Sequence, residues 1–325
     1  MKKLLIILMA LVMAASSLLS GCGGVGDTNG EESGATPKPT PVPTPKITPT
    51  PYTYIQSDIK MGSITGGTFQ MGDVSGNGYS NERPVHSVTL SSFRMSAYEI
   101  NYGQWMKVRT WAEAHGYTFN NPGDSGGQEY GGTQDDNHPV TNIEWYDAAL
   151  WCNALSEMEG RTPCYYTSAG RSTVYRSGMV NIQNDWVDWT TNGYRLPTEA
   201  EWEYTCRAGT TTDYSFGNSI SGSNANYRNS GDKYDNGTTP VGSYAANAWG
   251  LYDMHGNVGE WCWDWYSFYS ANPSSNPKGP ASGSFRVYRD GSWNSAPVGL
   301  RSAYRNYGSP AGDVDYIGFR PVRSQ

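Results

Sequence analysis

The stretch that decides the fold is Tyr194-Arg195-Leu196-Pro197-Thr198-Glu199-Ala200-Glu201-Trp202-Glu203-Tyr204. Within it, Pro197 stands before Thr198, and Thr198 with Glu201 makes the spacing of a capping box, which predicts that a helix begins here. Gly209 follows as a candidate C-terminal cap. The sequence therefore places one short helix in a region that is otherwise rich in glycine and tryptophan.

Two further helices are predicted upstream. The first covers about residues 101 to 115, where apolar residues recur at helical spacing before Gly116. The second follows Thr141 and Glu144, which we interpret as a capping box, and its apolar stripe ends near Gly160.

Alternating segments at Val85 to Leu90 and Phe285 to Tyr288 predict strands. The 39 glycines leave much of the chain to irregular loops. The expected class is α+β, with few helices, short strands and much irregular structure.

The N-terminus has the pattern of an exported lipoprotein. Basic residues precede an apolar run that ends in Leu19-Ser20-Gly21-Cys22, so residues 1–21 are predicted to be a signal peptide and Cys22 the lipidated residue. Residues 22–51 contain almost no large apolar side chains and are rich in Pro and Thr, which predicts a stalk. A linker without a spacer role is the alternative. We expect an exported, lipid-anchored protein at the cell surface or outer membrane.

Residues 52–325 show no second linker and are predicted to form one domain, which we expect to be a monomer. The formal net charge of −7 argues against nucleic acid as a partner. Four cysteines remain after Cys22, and none has CxxC spacing, so a zinc site is not expected, while up to two disulfides are permitted in an exported chain. Their connectivity is left open. These cysteines are Cys152, Cys164, Cys206 and Cys262.

Several motifs, in order along the chain, resemble those of the formylglycine-generating, sulfatase-modifying family. Besides the stretch quoted first, they are Gly66-Gly67-Thr68-Phe69-Gln70-Met71-Gly72, Glu82-Arg83-Pro84, His138-Pro139-Val140, Gly250 to Val258, Asp290-Gly291-Ser292-Trp293, Arg301 to Arg305 and Gly318-Phe319-Arg320. The resemblance covers nearly all of residues 60 to 325. It implies a variant C-type lectin fold.

Catalytic members of that family carry a copper-binding cysteine pair after the Gly-Ser-Trp motif. The matching positions here are about Ser295 and Leu300, and no cysteine follows Cys262. Neither side chain supplies the soft thiolate that copper(I) selects. We therefore expect no copper and no enzymatic activity.

The chain is also similar to the variable proteins of diversity-generating retroelements, of the treponemal type, whose C-terminal segment is rewritten and displayed. Residues 285–325 alternate framework residues with tyrosines and small polar residues, a composition typical of adaptable binding loops. We expect one exposed patch at the end of the domain distal to the stalk. The predicted ligand-binding residues are Tyr288, Asp290, Asn294, Ser295, Ala296, Val298, Tyr304, Asn306, Tyr307, Asp313, Asp315 and Tyr316.

Three functions follow from these patterns. The preferred one is a surface-displayed lipoprotein that binds a protein or glycan ligand through the C-terminal segment. The alternative is a sulfatase-modifying or related oxidoreductase maturation factor that acts on exported proteins. A structural envelope lipoprotein that binds nothing in particular is the third.

A calcium site is predicted at Asp253 to Glu260, because calcium takes carboxylate and carbonyl oxygens around a tight turn. The resemblance implies the side chains of Asp253 and Glu260 and the carbonyls of Gly256 and Val258 as ligands. A solvated acidic turn is the alternative. A second family site would use Asn226, but the partner segment after it matches poorly.

The motif Gly123-Asp124-Ser125-Gly126-Gly127 copies the nucleophile segment of chymotrypsin-like proteases. We reject Ser125 as a nucleophile, because no histidine motif precedes it and a triad needs a base and an orienting acid. The four histidines have no metal-ligand spacing and are expected to be structural.

Overall fold

A computed structural model of the chain describes residues 56–127, 135–232, 234 and 236–325. The chain divides into the units Met1–Pro51 and Tyr52–Gln325. The predicted signal peptide, the lipidation site Cys22 and the stalk lie outside the described residues. Among the described residues, no helix combines the length and apolarity that crossing a bilayer requires.

Three helices form where the sequence predicts them. Helix α1 spans Tyr102–Glu113, α2 spans Trp145–Met158 and α3 spans Glu199–Arg207. The Thr198 side chain caps α3 by accepting a hydrogen bond from the Glu201 amide at 3.2 Å, and the Glu201 carboxylate accepts from the Thr198 amide at 2.8 Å. The capping box that opens the first quoted stretch is confirmed.

Two helix ends differ from the prediction. Helix α2 is capped by Glu144 with Asp147, three residues further along than predicted, because the Thr141 hydroxyl instead donates to the Gly126 carbonyl at 2.7 Å. At the end of α3 the left-handed residue that stops the helix is Ala208, with φ 45°, and the predicted cap Gly209 follows it.

The rest of the regular structure in the described residues consists of three short 3-10 helices, Ser80–Glu82, Asn184–Trp186 and Pro297–Leu300, and thirteen short strands. They are β1 (Met61–Ile64), β2 (Gly67–Met71), β3 (His86–Leu90), β4 (Phe93–Ser96), β5 (Asp124–Ser125), β6 (Val140–Thr141), β7 (Tyr194–Arg195), β8 (Gly259–Trp265), β9 (Ser274–Ser275), β10 (Arg286–Arg289), β11 (Arg305–Gly308), β12 (Ile317–Gly318) and β13 (Val322–Ser324). The two strands predicted from alternation, β3 and β10, are each one residue displaced at their start.

The strands form small sheets instead of one large one. Their orders are β1-β4-β13-β7, β11-β10-β8-β12, β2-β3-β9 and β5-β6. Strand β13 at the C-terminus pairs antiparallel with both β4 and β7. Strand β8 pairs with β10 and, in parallel, with β12. The C-terminal segment therefore contributes strands to two sheets.

The core is built largely from aromatic side chains. The indoles of Trp105 and Trp151 stack with ring centres 6.4 Å apart, and Phe319 meets both edge-on. This cluster joins α1 and α2 to the C-terminal segment. A second cluster contains Trp202 of α3 together with Met95 of β4.

Helix α3 is joined to the C-terminal segment by buried ion pairs. Glu199 accepts from Arg289 at 3.0 Å and from Arg305 at 2.6 Å, and Glu203 accepts from Arg289 at 2.9 Å. These side chains are at most 5% exposed. Charges removed from water need such partners, so α3 fixes the backbone of β10 and β11.

Candidate functional site

Asp290 connects the loops that build the candidate site. It has left-handed backbone, with φ 68°, and its carboxylate accepts hydrogen bonds from the Gly256 and Gly291 amides, both at 2.7 Å. The side chain is fully buried, and this burial raises the pKa of Asp290 well above its usual range. Asp290 therefore joins two loops in the interior, and its prediction as an exposed ligand contact is wrong.

Tyr288 is also interior, against the prediction. It is 9% exposed, and its ring meets the Trp261 ring edge-on at 5.9 Å. A Cβ atom on Gly259 would stand 3.0 Å from the Tyr288 ring. Gly259 therefore leaves the space that this tyrosine fills.

The positions that match the family's cysteine pair are brought together in front of Gly291. A Cβ atom added to Gly291 would lie 2.8 Å from Leu300 Cδ1 and 2.9 Å from Ser295 Cβ. The Ser295 hydroxyl accepts from the Ser292 amide at 3.0 Å. A hydroxyl becomes a nucleophile when a base is placed beside it. Among the described residues, the side-chain groups that contact Ser295 Oγ include no such base.

His255 lies behind this pair but is committed to the backbone. Its Nδ1 is 2.8 Å from the Leu300 carbonyl oxygen, and its Nε2 accepts from the Ser215 amide at 3.0 Å. Burial lowers the pKa of His255 to about 4. The ring is therefore neutral and holds Leu300 in place.

An aromatic surface lies beside Ser295. Tyr79 is 50% exposed and its ring centre is 6.1 Å from that of the half-buried Tyr304, whose hydroxyl accepts from Asn306 Nδ2 at 3.1 Å. Val298 is 38% exposed, and a Cβ on Gly299 would touch both Ser295 and Tyr304. We name this the Tyr79–Tyr304 surface, and its members are Tyr79, Ser295, Val298, Tyr304 and Asn306.

A buried ion pair supports this surface. Arg301 donates to both oxygens of Glu82 at 2.6 and 2.7 Å, and its guanidinium lies 5.9 Å from the centre of the Tyr79 ring. Sequence reasoning missed Tyr79 and Glu82 as site residues. Both lie far from Arg301 in the chain, and only Glu82 belongs to a motif that resembles the family.

Tyr307 does not share a patch with Tyr304. It is 45% exposed, and its ring centre lies 4.3 Å from that of Tyr266 and 5.2 Å from that of Phe285. In β11, Asn306 is opposite Tyr288 and Tyr307 is opposite Val287, so consecutive residues face opposite sides of the sheet. The predicted single patch is therefore wrong.

The remaining predicted ligand contacts lie on loops. Asn294 and Ala296 are half-buried beside Ser295, and Asp313 is exposed. Asp315 and Tyr316 are half-buried, and their carbonyls accept from the Trp293 indole at 3.3 Å and from the Gly259 amide at 2.9 Å.

The predicted calcium ligands are only partly available. Both carboxylate oxygens of Glu260 accept from Arg320, at 2.7 to 2.9 Å, and one also accepts from the Trp202 indole. Glu260 is therefore the partner of Arg320, which corrects its assignment as a free ligand. Asp253 Oδ1 is buried and has no hydrogen-bond partner in the residues that the structure describes, so this oxygen is open to a cation. The described residues contain no cluster of three or more acidic, His or Cys side chains suited to a metal.

The other side chains considered as nucleophiles, Ser125 and the four cysteines, have structural roles. Ser125 Oγ donates to the Asp135 carbonyl at 2.5 Å. The four thiols are free and buried, and burial raises the pKa of Cys164 to about 12. A thiol is a nucleophile only when ionised, so these are packing residues.

Comparison with known proteins places the whole domain in one family. A family model described as "Sulfatase-modifying factor enzyme 1-like domain" matches residues 52–325. The chaperone protein LppX of Paenibacillus barcinonensis is 32% identical over 295 residues, 84% of this chain and 91% of the relative. The formylglycine-generating enzyme of Mus musculus is 31% identical over 287 residues, 80% of this chain and 74% of the relative. The chain spans 37% of the length of three further curated relatives.

Comparison with solved structures supports the same family. The structure of Treponema denticola variable protein 1 superposes with a TM-score of 0.67 at 32% identity, covering 84% of this chain and 98% of that one. The predicted α+β architecture of the formylglycine-generating type is confirmed.

The expectation that this chain has no enzymatic function is wrong. Relatives 30–31% identical to it are named formylglycine-generating enzyme, and the matching family is an enzyme family. The absence of the copper-binding cysteine pair argues against one reaction, the thiol-dependent oxidation. It does not show that the chain is not an enzyme. With its whole domain matched and its fold shared, the chain belongs to the family of sulfatase-modifying factor enzymes.

Proposed function

We propose that this chain is a maturation factor for exported proteins, which binds a client polypeptide at the Tyr79–Tyr304 surface and modifies it there. The observation that carries the proposal is the position of this surface, directly beside Ser295 and Leu300, where the family carries its reactive residues. Relatives named as a chaperone and as formylglycine-generating enzymes support a role in maturing other proteins.

The surface has the properties that binding an extended polypeptide needs. The exposed ring of Tyr79 and the half-buried ring of Tyr304 offer contact area at low entropy cost, and Asn306 offers adaptable hydrogen bonds. The Glu82–Arg301 pair holds the floor of the surface, so little order has to be gained on binding. Because Ser295 and Leu300 supply no thiolate, we propose a modification other than the thiol-dependent oxidation of catalytic family members.

A second candidate is the displayed binding protein. It is supported by the similarity to Treponema denticola variable protein 1 and by the lipoprotein pattern at the N-terminus. In that function the same surface would hold a protein or glycan ligand at the cell surface, and the ligand would leave chemically unchanged.

The test uses the purified full-length chain and a library of extended peptides tiled from exported proteins. Peptides retained by the chain are identified, and their masses are compared before and after incubation. We expect a discrete set to be retained, and members of that set to change mass. Tyr304→Ala should weaken retention by about tenfold or more, as truncation of an aromatic hot spot does.

Tyr307→Ala is the matched control, because Tyr307 is an exposed tyrosine of β11 that faces the side opposite to Asn306, a member of the Tyr79–Tyr304 surface. It should leave retention unchanged, and both variants should keep the melting temperature of the parent chain. If both variants lose peptide retention equally, the Tyr79–Tyr304 surface is not the binding site. Retention without any change in mass would favour the displayed binding protein instead.

A further inference from the structure

A row of polar side chains crosses the sheet β1-β4-β13-β7. Ser63 in β1 is opposite Arg94 in β4, Arg94 is opposite Arg323 in β13, and Arg323 is opposite Tyr194 in β7. Residues directly opposite each other in antiparallel strands share a face, with Cβ atoms about 5 Å apart. Two arginines are therefore held side by side on one face of the sheet.

Neither arginine has a carboxylate partner among the described residues. The Nε atoms of Arg94 and Arg323 are both buried without a hydrogen-bond partner. Within the described part of the chain, the one hydrogen bond given by the Arg323 side chain runs from Nη1 to the Ser324 carbonyl at 3.4 Å. By contrast, the buried arginines Arg195 and Arg301 hold glutamates at 2.7 Å or less. Arg94 and Arg323 therefore lack the carboxylate partner that Arg195 and Arg301 have.

A third arginine adds to the positive charge. The guanidinium groups of Arg161 and Arg323 lie 5.5 and 6.0 Å from the centre of the Tyr194 ring. The acidic group beside them is Glu159, which already accepts from Arg161 at 2.9 Å and from the Tyr194 hydroxyl at 2.8 Å. Burial and the charges of Arg161 and Arg94 lower the pKa of Arg323.

This arrangement is unfavourable in the isolated chain. Like charges directly opposite each other destabilise a sheet, and buried N–H groups without acceptors cost further free energy. An oxyanion between the two side chains would remove both effects, because its oxygens accept from several N–H groups and its charge is negative. The guanidinium fork matches the oxygens of phosphate and sulfate groups.

We propose that Arg94 and Arg323, flanked by Arg161, form a binding site for a phosphate or sulfate group. Two sources carry this chemistry, a free oxyanion and the phosphate headgroup of an anionic lipid. The site is independent of the Tyr79–Tyr304 surface and of the proposed maturation function, since it lies on a different sheet.

The first experiment measures the melting temperature of the full-length chain in sulfate, phosphate and chloride at equal ionic strength, and the affinity for inorganic phosphate by calorimetry. We expect the oxyanions to raise the melting temperature above its value in chloride, by mass action on the native state. Arg94→Gln and Arg323→Gln should each lose this rise and weaken phosphate binding at least tenfold. In chloride both variants should melt at or above the parent temperature, since the repulsion is relieved.

The second experiment separates the sources by flotation with vesicles of anionic phosphatidylglycerol or neutral phosphatidylcholine. It uses residues 52–325, a separate compact unit whose fold matches a solved relative over 98% of that chain, so that no lipid anchor contributes. Arginine-dependent retention on anionic vesicles alone assigns the headgroup, whereas a response to inorganic phosphate alone assigns a free oxyanion.

Arg228→Gln is the control for overall charge, because Arg228 is exposed and lies outside the row. If it reduces both responses as much as Arg94→Gln does, the effect is general electrostatics and the site is refuted. The site is also refuted if the parent chain and the two row variants respond alike to every anion and vesicle.

Discussion

Arg286 shows how single residues adapt to an aromatic interior. Its guanidinium lies 3.8 Å from the ring centre of Trp145 and 3.5 Å from that of Trp265, and it donates to the Trp263 carbonyl. Burial lowers its pKa to about 9. Sequence reasoning placed Arg301 and Arg305 together in one motif of the C-terminal segment. It could not find their partners, because a contact such as Arg301 with Glu82 joins distant parts of the chain.

The Arg301–Glu82 pair should matter far more to stability than an exposed pair. Its side chains are 3% and 0% exposed, so Arg301→Met leaves a buried carboxylate uncompensated. We expect the free energy of unfolding to fall by about 3–5 kcal/mol. Lys107→Met, which removes an exposed pair with Asp58, should cost no more than about 1 kcal/mol. Urea unfolding measures both, and similar losses would contradict this account.

Asp264 should give the protein a specific pH dependence. Burial, with the negative charge of Glu199, raises the pKa of Asp264 from 3.8 to about 7. Between these pH values the native state binds more protons than the unfolded state, so this group destabilises the fold as pH rises. Asp264→Asn should therefore gain stability relative to the parent chain across this window, by at most about 1.4 kcal/mol per pH unit. Parallel stability curves for the two proteins, measured by urea unfolding, would show that the shift is absent.

At the scale of elements, helices could be predicted well and sheets poorly. Capping chemistry is local, so Thr198 and Glu201 identify the start of α3 from four residues of sequence. Thr141 misled the same reasoning, because its hydroxyl is used by a loop that the sequence does not show to be near. Strands of two residues such as β7 carry no periodicity. They form because β13 returns from the far end of the chain to pair with them.

The cap of α3 should contribute measurably to stability. Thr198→Ala removes the acceptor for the Glu201 amide in a buried setting, so we expect a loss of about 1–2 kcal/mol in the free energy of unfolding. Thr118→Ala is the matched control, because Thr118 is exposed and caps no helix. It should change stability by less than about 0.5 kcal/mol. If urea unfolding shows the same loss of stability for both variants, the Thr198 cap does not stabilise the protein as proposed.

For the molecule as a whole, the sequence predicted the fold more completely than the site. Motif order was enough to indicate the family fold. The candidate surface required knowing that Tyr79 meets Tyr304 and that Asn306 and Tyr307 point to opposite sides of β11. Composition had grouped Tyr288 with Tyr307, but β10 is covered on both faces whereas β11 is an edge strand. Burial of that kind follows from sheet order, which composition does not encode.

The whole domain should also respond to calcium through Asp253, although Glu260 is held by Arg320. Asp253 Oδ1 is buried without a partner, and an open carboxylate oxygen next to the Gly256 turn is what a calcium ion would contact. A ligand that binds only the native state stabilises it by mass action, by about 2.7 kcal/mol when present at 100 times its dissociation constant. A chelator should therefore lower the melting temperature of the parent chain and leave Asp253→Asn unchanged. Asp313→Asn, in an exposed loop, should behave like the parent. If the parent chain has the same melting temperature in calcium as in chelator, the prediction is wrong. The Asp253 oxygen then does not bind calcium.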